Sequence, residues 1–164
     1  KDIRVFMSEI RRLEDPVRRV VIAGGGNIGI RLALALEQTN QVKIIEHSLE
    51  RCTTLSERLD RTVVLHGSAT SKRLLEEENI EDCDIFCALT NDDEVNIIAS
   101  LLARRLGARK VVALINRLNY LPLAQRLGVH TTVSPRLAAA LSAMREKMRS
   151  ARPSSTSWSS PTKR

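Results

Sequence analysis

The chain contains, near its start, the run Val20-Val21-Ile22-Ala23-Gly24-Gly25-Gly26-Asn27-Ile28-Gly29. An apolar β-type run enters a glycine turn, and a helical pattern leaves it. Glu46, 22 residues after Gly24, ends the next apolar run, where its carboxylate can accept hydrogen bonds from ribose hydroxyls. A strand, a glycine turn, a helix and an acid about 20 residues further on are together the layout of a dinucleotide-binding βαβ unit. The pattern favours a working nucleotide site over a glycine turn retained for packing alone.

The residues of the turn have distinct predicted roles. Gly24 allows the tight turn, and Gly26 lets backbone N–H groups come close to a pyrophosphate. Gly29 lets the helix pack closely against the strand. The helix N-terminus, where Asn27 and Ile28 lie, has free N–H groups and a positive dipole end that attract the phosphates. We expect all five residues to belong to a cofactor-binding site.

The rest of the chain continues the alternation of strands and helices. The predicted strands are apolar throughout rather than alternating, which is typical of a parallel sheet covered on both faces. Right-handed crossovers then give an α/β fold, a Rossmann-like doubly wound parallel sheet with strand order 3-2-1-4-5-6. The predicted strands are 19–23, 42–46, 62–66, 83–89, 110–115 and about 130–133.

Two of the predicted helices have apolar stripes at helical spacing. The helix after the glycine turn is expected to bury Ile28, Leu32, Ala35 and Leu36. The helix after the fourth strand is expected to bury Val95, Ile98, Ala99, Leu102 and Leu106.

Ligands of doubly wound sheets bind at the carboxyl ends of the strands. Thr90 and Asn91 follow the fourth strand and face the point where the strand order reverses; for them, helix capping and ligand contact remain equal alternatives. Asp92 and the two acids after it are explained by the preference of a helix first turn for negative charge. Besides the glycine turn, the candidate cofactor-binding residues are Glu46, His47, Arg51, Gly67, Ser68, Ala69, Thr90 and Asn91.

The net charge of +7 is concentrated at one end of the chain. Residues 136–164 contain seven basic side chains and one acidic side chain, so the rest of the chain carries only +1. Aromatic residues make up 2% of the sequence, which leaves no stacking platform for bases. These features argue against a nucleic-acid partner.

The three cysteines, Cys52, Cys83 and Cys87, provide no disulfide framework. Cys83 and Cys87 are predicted to lie on one strand, roughly 13 Å apart, which is too far for a bridge. We expect buried, reduced thiols in a cytosolic protein. The histidines have no metal-ligand spacing, and no apolar run approaches the roughly 20 residues that span a bilayer.

The sequence divides into four predicted segments. Residues 1–18 form an N-terminal segment with a short amphipathic helix, and 19–134 form the nucleotide-binding domain. Residues 135–149 form an amphipathic helix that either lies back on its own domain or crosses to a second copy. Residues 150–164 are rich in Ser and Pro and are expected to be disordered.

With these elements placed, the chain resembles the regulator-of-potassium-conductance domain (RCK, also called KTN) of TrkA-type potassium-uptake proteins. The likeness covers about residues 1–149 and is closest to the second half of such proteins. The segment after the fourth strand is the most family-specific part. The residues that carry the likeness are Met7-Ser8-Glu9, Arg12-Leu13-Glu14, Gly24–Gly29, Leu74–Ile80, Ala88–Asn96 and Val133-Ser134-Pro135.

The resemblance implies a gating domain that is cytoplasmic, peripheral to the inner face of the cell membrane, and not an enzyme. It implies a membrane potassium transporter subunit (TrkH/TrkG-like) as partner, a homo-oligomer built from dimers, and NAD(H) as the ligand, with ATP/ADP as the alternative. Asn27 favours NAD, because ATP-preferring relatives tend to carry Arg in the glycine turn. Ser68 stands where the family usually has Asp after the third strand, so a charge facing the adenine side is missing.

Two other function classes compete with this interpretation. A dehydrogenase would need a substrate pocket and a proton-transfer residue, and no Ser-x-x-x-Tyr-x-x-x-Lys arrangement accompanies the single tyrosine, Tyr120. A dimerisation module with a decayed nucleotide site is the other alternative. The intact glycines and Glu46 argue against it.

Overall fold

The computed structural model describes residues 3, 4, 7, 8, 16–129, 131–134 and 144. Ile3 and Met7 are helical and pack against the core, in agreement with the amphipathic pattern of the N-terminal segment. Apart from Met144, which is helical and exposed, the predicted helix 135–149 lies outside the described residues, as does the tail 150–164.

In the described part of the chain, six strands form one parallel sheet of order β3-β2-β1-β4-β5-β6, as predicted. The strands are β1 (Arg19–Ala23), β2 (Gln41–Glu46), β3 (Val63–His66), β4 (Ile85–Ala88), β5 (Lys110–Leu114) and β6 (Thr131–Val133). The helices are α1 (Asn27–Leu36), α2 (Leu49–Arg58), α3 (Lys72–Glu77), α4 (Asp93–Arg105) and α5 (Leu121–Arg126). Two 3₁₀ turns, Ile80–Asp82 and Leu118–Tyr120, lie between them.

The central strands β1, β4 and β5 are buried on both faces, which explains their apolar sequences, whereas β3 at one edge of the sheet is partly exposed. Ile22 of β1 packs with Leu32 of α1 and Leu55 of α2 in one core cluster. The neighbouring strand residue, Val21, belongs to a second cluster with Leu75 of α3. Because successive strand side chains point to opposite faces, α1 and α2 cover one face, and α3 and α4 cover the other.

The predicted apolar stripe of α1 is partly wrong. Ile28 is half-buried and Ala35 is exposed. The helix packs through a face rotated toward Gly29, because that residue lies directly against the glycine turn. The buried residues of α1 are Gly29, Ile30, Leu32, Ala33 and Leu36.

The predicted stripe of α4 is also partly wrong. Ile98 is 54% exposed, and of the predicted residues only Ala99 is buried. The helix approaches the sheet through Ile97, small residues and two polar side chains, and Leu102 and Leu106 pack half-buried against the core. The buried residues of α4 are Asp93, Asn96, Ile97, Ala99, Ser100 and Ala103.

The cysteines are free and buried, as expected, but Cys83 and Cys87 do not share a strand. Strand β4 begins at Ile85, and Cys83 follows the first 3₁₀ turn. No helix in the described part of the chain is both long enough and apolar enough to cross a membrane. Within the same residues, no cluster of His, Cys, Asp or Glu side chains could hold a metal ion.

Candidate functional site

The glycine turn joins β1 to α1 at the carboxyl edge of the sheet. Gly24 has a φ of +103°, and a Cβ there would lie 2.9 Å from the backbone nitrogen of Thr90. A Cβ on Gly29 would lie 2.0 Å from the carbonyl oxygen of Gly24. Both contacts are with backbone atoms, which cannot move aside. The tight turn predicted at Gly24 and the close packing predicted at Gly29 are therefore confirmed.

Gly26 differs from these two glycines because it faces open space. In the described part of the chain, no heavy atom lies within 4 Å of the position of a Cβ on Gly26. Gly26 is also the N-cap of α1, which has no side-chain cap and no acid in its first turn. By contrast, the N-caps Ser48, Ser71 and Asp92 accept backbone N–H groups of α2, α3 and α4. The first turn of α1 is therefore suited to an external anion.

A cleft of about 410 Å³ opens beside this turn. It lies between the ends of β1, β2, β3 and β4, as the strand-end rule predicts. Of the predicted site residues it brings together Gly24, Gly26, Glu46, His47, Arg51, Gly67, Ser68, Ala69, Thr90 and Asn91.

A second cleft of about 490 Å³ adjoins the first on the side of α1 and α2. Asn27 and Ile28 line this second cleft, together with Arg58. The two clefts share Gly26, Arg51, Leu89 and Asn91. Gly29 lines neither cleft and is buried beneath the turn.

The Glu46 carboxylate lies in the wall of the first cleft but is only 2% exposed. Its Oε2 accepts the backbone N–H of Gly25 at 2.8 Å, and its Oε1 accepts that of Ser48 at 2.9 Å. Nδ1 of His47, whose side chain is exposed, lies 2.9 Å from the same Oε1. Burial acts to raise the pKa of this carboxyl, but the two backbone N–H groups and nearby cationic groups outweigh it and lower the pKa. Glu46 is therefore held as an anion by the backbone.

Helix capping and cleft lining fall to different residues in the segment after β4. Asp92 caps α4, because its Oδ1 accepts the backbone N–H of Val95 at 2.9 Å. The backbone N–H and the hydroxyl of Thr90 donate to Oδ1 of Asn96 at 2.9 and 2.7 Å. Asn91 is exposed and lines both clefts. Asp92 therefore provides the side-chain cap of α4, and Thr90 and Asn91 line the cleft.

Residues 20–135 match the TrkA-N domain family. This chain belongs to that family. The TrkA-N match covers most of the sequence, from the first residues of the sheet to the end of β6. The expectation of a likeness to the second half of TrkA is wrong, since the domain matched is the N-terminal one. The glycine turn and its acid occur in dinucleotide-binding units generally, so they do not fix a position within a longer protein.

The TrkA-N chain is 70% identical over 138 residues to the Trk system potassium uptake protein TrkA of Halomonas elongata. The alignment covers 84% of this chain and 30% of that relative. It is 50% identical to TrkA of Vibrio alginolyticus over 83% of this chain, which again spans 30% of the relative. The chain therefore spans about 30% of the length of the curated relatives it matches.

Solved structures share the fold at low sequence identity. The TrkA-N domain of the inner membrane protein ybaL from Escherichia coli has a TM-score of 0.70 at 16% identity, covering 80% of this chain and 98% of that one. The GsuK channel bound to NAD has a TM-score of 0.61 at 18% identity, covering 80% of this chain and 25% of that one. GsuK bound to ADP has a TM-score of 0.64 at 20% identity, covering 74% of this chain and 32% of that one.

The structure adds cleft residues that the sequence did not predict. Ile45, Leu89 and Val95 give the first cleft an apolar wall. Gly25 was assigned no role, yet it is the turn residue that contacts Glu46. Ile45 and Leu89 could have been predicted to line the cleft, because both lie at the carboxyl ends of strands. Nothing in the sequence distinguished Gly25 from its neighbours.

Proposed function

We propose that this TrkA-N domain binds NAD(H) and acts as a regulatory, non-enzymatic switch in a potassium uptake system. The observation that carries the proposal is the uncapped start of α1 at Gly26, which faces open space beside the cleft. A diphosphate can approach the backbone N–H groups there without meeting a side chain. The relatives named as potassium uptake proteins support the context, and the NAD-bound GsuK structure supports the ligand.

Each group of site residues has a role in this proposal. The backbone of Gly26, Asn27 and Ile28 holds the diphosphate, and the Arg51 guanidinium adds positive charge at the junction of the two clefts. The apolar wall of the first cleft receives the adenine, while Gly67, Ser68 and Ala69 close it from the end of β3. Bound NAD(H) supplies a double negative charge and two ring systems to contact, and no reaction is required of it.

The switch is proposed to act on a membrane potassium transporter subunit of the TrkH/TrkG type at the cytoplasmic face of the membrane. In this scheme residues 19–134 form the nucleotide unit, and 135–149 connect two copies into a dimer. The ligand must bind more tightly to one arrangement of the copies than to the other. Among the described residues, the lining of the two clefts contains neither the Tyr nor the Lys that a Tyr/Lys-type dehydrogenase would need.

ATP or ADP is the alternative ligand. One observation favours it: the second cleft carries Arg58 in addition to Arg51, close to the start of α1. Two guanidinium groups there are suited to additional phosphate charge. The ADP-bound GsuK structure is consistent with this alternative.

Titration calorimetry with NADH, NAD⁺, ADP and ATP on the wild type and Gly26→Ala tests the proposal. The added methyl group occupies the space of the diphosphate but meets no atom of the residues that the structure describes, so we expect NADH binding to weaken at least tenfold while the fold is retained. A thermal shift gives a second readout, since ligand at 100 times its Kd adds about 2.7 kcal/mol of stability. Absence of nucleotide binding by the wild type, or unchanged NADH binding by Gly26→Ala, contradicts the proposal.

A further inference from the structure

The ends of three neighbouring strands follow the order of the parts of a nucleotide. Strands β1, β2 and β3 lie side by side, about 4.8 Å from one to the next. In the proposed function the turn after β1 holds the diphosphate, and Glu46 at the end of β2 is placed to accept hydrogen bonds from the ribose. Gly67, directly after β3, donates its N–H to the carbonyl oxygen of Glu46 at 2.9 Å. A nucleotide held in this order therefore places its base against the residues that follow β3.

Ser68 supplies the polar side chain at this end of the cleft. The cleft-lining residues that follow β3 are Gly67, Ser68 and Ala69, and Ser68 is exposed. The titratable side chains of the lining lie at or after the ends of β2 and β4 and are those of Glu46, His47, Arg51 and Asp92. The apolar wall of the cleft contacts the faces of a base, which do not reveal the groups on its edge. The Ser68 hydroxyl is therefore the side-chain group that meets the edge of the base.

This hydroxyl can present either a donor or an acceptor. Oγ of Ser68 lies 2.9 Å from Oγ1 of Thr70, and either hydroxyl can be the donor of that hydrogen bond. The backbone N–H of Thr70 also donates to Oγ of Ser68, at 3.3 Å. When Ser68 donates to Thr70, one lone pair of its Oγ stays open to a donor on the base. When Thr70 donates instead, both lone pairs are used and the Ser68 O–H can donate to the base.

The two classes of purine differ at the edge that Ser68 meets. Adenine carries an amino group at position 6, which donates, whereas guanine and hypoxanthine carry a carbonyl oxygen there, which accepts. The neighbouring N1 also inverts, since it accepts in adenine and donates in the other two. Because Ser68 is exposed, the N1 beside it is open to water, which serves either form.

We infer that the base subsite accepts 6-oxopurine nucleotides as well as adenine nucleotides, and that Ser68 is the residue that sets this tolerance. The inference rests on the proposed nucleotide function and widens the ligand class of the same cleft. Rotation of two hydroxyl groups adapts the site from one base to the other without any movement of the backbone. The two bases therefore bind with similar free energies.

Ser68→Asp should convert this site into one that selects adenine. An ionised carboxylate offers acceptors only, so it pairs with the amino group of adenine and opposes the carbonyl oxygen of hypoxanthine. We expect the wild type to bind NADH and its hypoxanthine analogue with Kd values within about fivefold of each other. In Ser68→Asp the ratio of the two Kd values should favour NADH by at least about thirtyfold.

Ser71→Asp is the matched control. It makes the same substitution three residues further on, outside the lining of the first cleft. Ser71 is the N-cap of α3, and its side chain accepts the backbone N–H of Leu74. Asp is an equally good N-cap, so the fold should be retained. The ratio of the two Kd values should stay at the wild-type value, which separates contact with the base from the effect of an added negative charge.

The test is titration calorimetry of the full 164-residue chain with NADH and the reduced nicotinamide hypoxanthine dinucleotide. ADP and IDP form a second pair with the same difference at position 6, and they should give the same ratio, because neither contains a nicotinamide half. A wild-type preference for adenine above about fivefold in both pairs would overturn the inference. An unchanged ratio in a folded Ser68→Asp would also overturn it.

The outcomes separate this inference from the proposed function. Binding of NADH without binding of its hypoxanthine analogue refutes the base tolerance and leaves the nucleotide function standing. Binding of none of the four ligands by the wild type refutes the nucleotide function itself. Each ratio is measured on one protein, so a general loss of affinity in a variant cancels. The wild-type ratio decides the question even if Ser68→Asp does not fold.

Discussion

The side-chain amide of Asn96 forms hydrogen bonds with both backbone polar groups of Thr90. Its Oδ1 accepts the Thr90 N–H at 2.9 Å, and its Nδ2 donates to the Thr90 carbonyl at 3.0 Å. The same Nδ2 donates to the carbonyl oxygen of Leu114 at 2.9 Å. The Asn96 side chain is fully buried. The ends of β4 and β5 are thus joined by one amide group beneath the cleft wall.

Replacing Asn96 with Leu should destabilise the domain by about 2–4 kcal/mol, because the buried backbone groups of Thr90 and Leu114 lose their partners. Urea unfolding of both proteins at pH 7 measures the difference. Asn91→Leu is the control, since Asn91 is exposed and its replacement should change stability by less than about 0.5 kcal/mol. A cost below 1 kcal/mol for Asn96→Leu would show that this network contributes little.

The sequence predicted the sheet because its signals are local. An apolar run such as that of β1 must be buried on both faces, and the order of strands follows from the handedness of the crossovers. The anchors of α4 could not be predicted in this way. Asn96 contacts a carbonyl 18 residues away, and Asp93 accepts the N–H of Asn116, 23 residues away. Periodicity counts both as solvent-facing, and only the tertiary contacts make their burial favourable.

The location of the candidate cleft was predictable because its signals, strand ends and glycines, are also local. Gly26 and Ser68 were predicted to line one cleft because each follows the carboxyl end of a strand, and these ends lie at the same edge of a parallel sheet. The hydrogen bonds of Glu46 were not predictable, since the pattern that identifies an acid after β2 does not say what the acid contacts. The structure gives it two backbone partners.

Gly29→Ala should be among the most destabilising single substitutions in the domain. The new methyl group would overlap the carbonyl oxygen of Gly24, a backbone atom fixed by the turn. We expect a loss of about 2–4 kcal/mol in guanidinium unfolding. Gly26→Ala, three residues earlier, meets open space and should change stability by at most about 1 kcal/mol. Equal losses for the two variants would contradict this account of the turn.

The three thiols should be unreactive in the folded protein. Burial raises the pKa of the Cys83 thiol to about 12, and it also raises the pKa values of Cys87 and Cys52. At pH 8 a thiol with the pKa of Cys83 is about 10⁻⁴ thiolate, whereas an ordinary cysteine is roughly a quarter thiolate. Ellman's reagent should therefore label the native chain slowly and all three cysteines rapidly in 6 M guanidinium. A rapid phase of one equivalent under native conditions would identify an accessible thiol, which Cys52→Ser would assign.

Glu37 should make the domain sensitive to acid. Burial acts to raise the pKa of its carboxyl, but the backbone N–H groups of Arg61 and Thr62 and the Thr62 hydroxyl lower it below the ordinary value of 4.5. The folded protein therefore binds the proton more weakly than the unfolded chain does. The stabilisation from Glu37 is fully present above about pH 4.5 and disappears as the pH falls through the lowered pKa of the folded state.

Urea unfolding at pH 7 and pH 3 measures this contribution. At pH 7 Glu37→Gln should be less stable than the wild type by about 1–3 kcal/mol, because the amide cannot accept the same set of hydrogen bonds. On acidification the variant should lose less stability than the wild type, since it has no proton to take up at this position. Glu50→Gln, at an exposed position in the first turn of α2, should follow the wild-type pH dependence closely. If Glu37→Gln and the wild type lose the same stability between pH 7 and pH 3, the Glu37 carboxylate is not the group whose protonation weakens the fold.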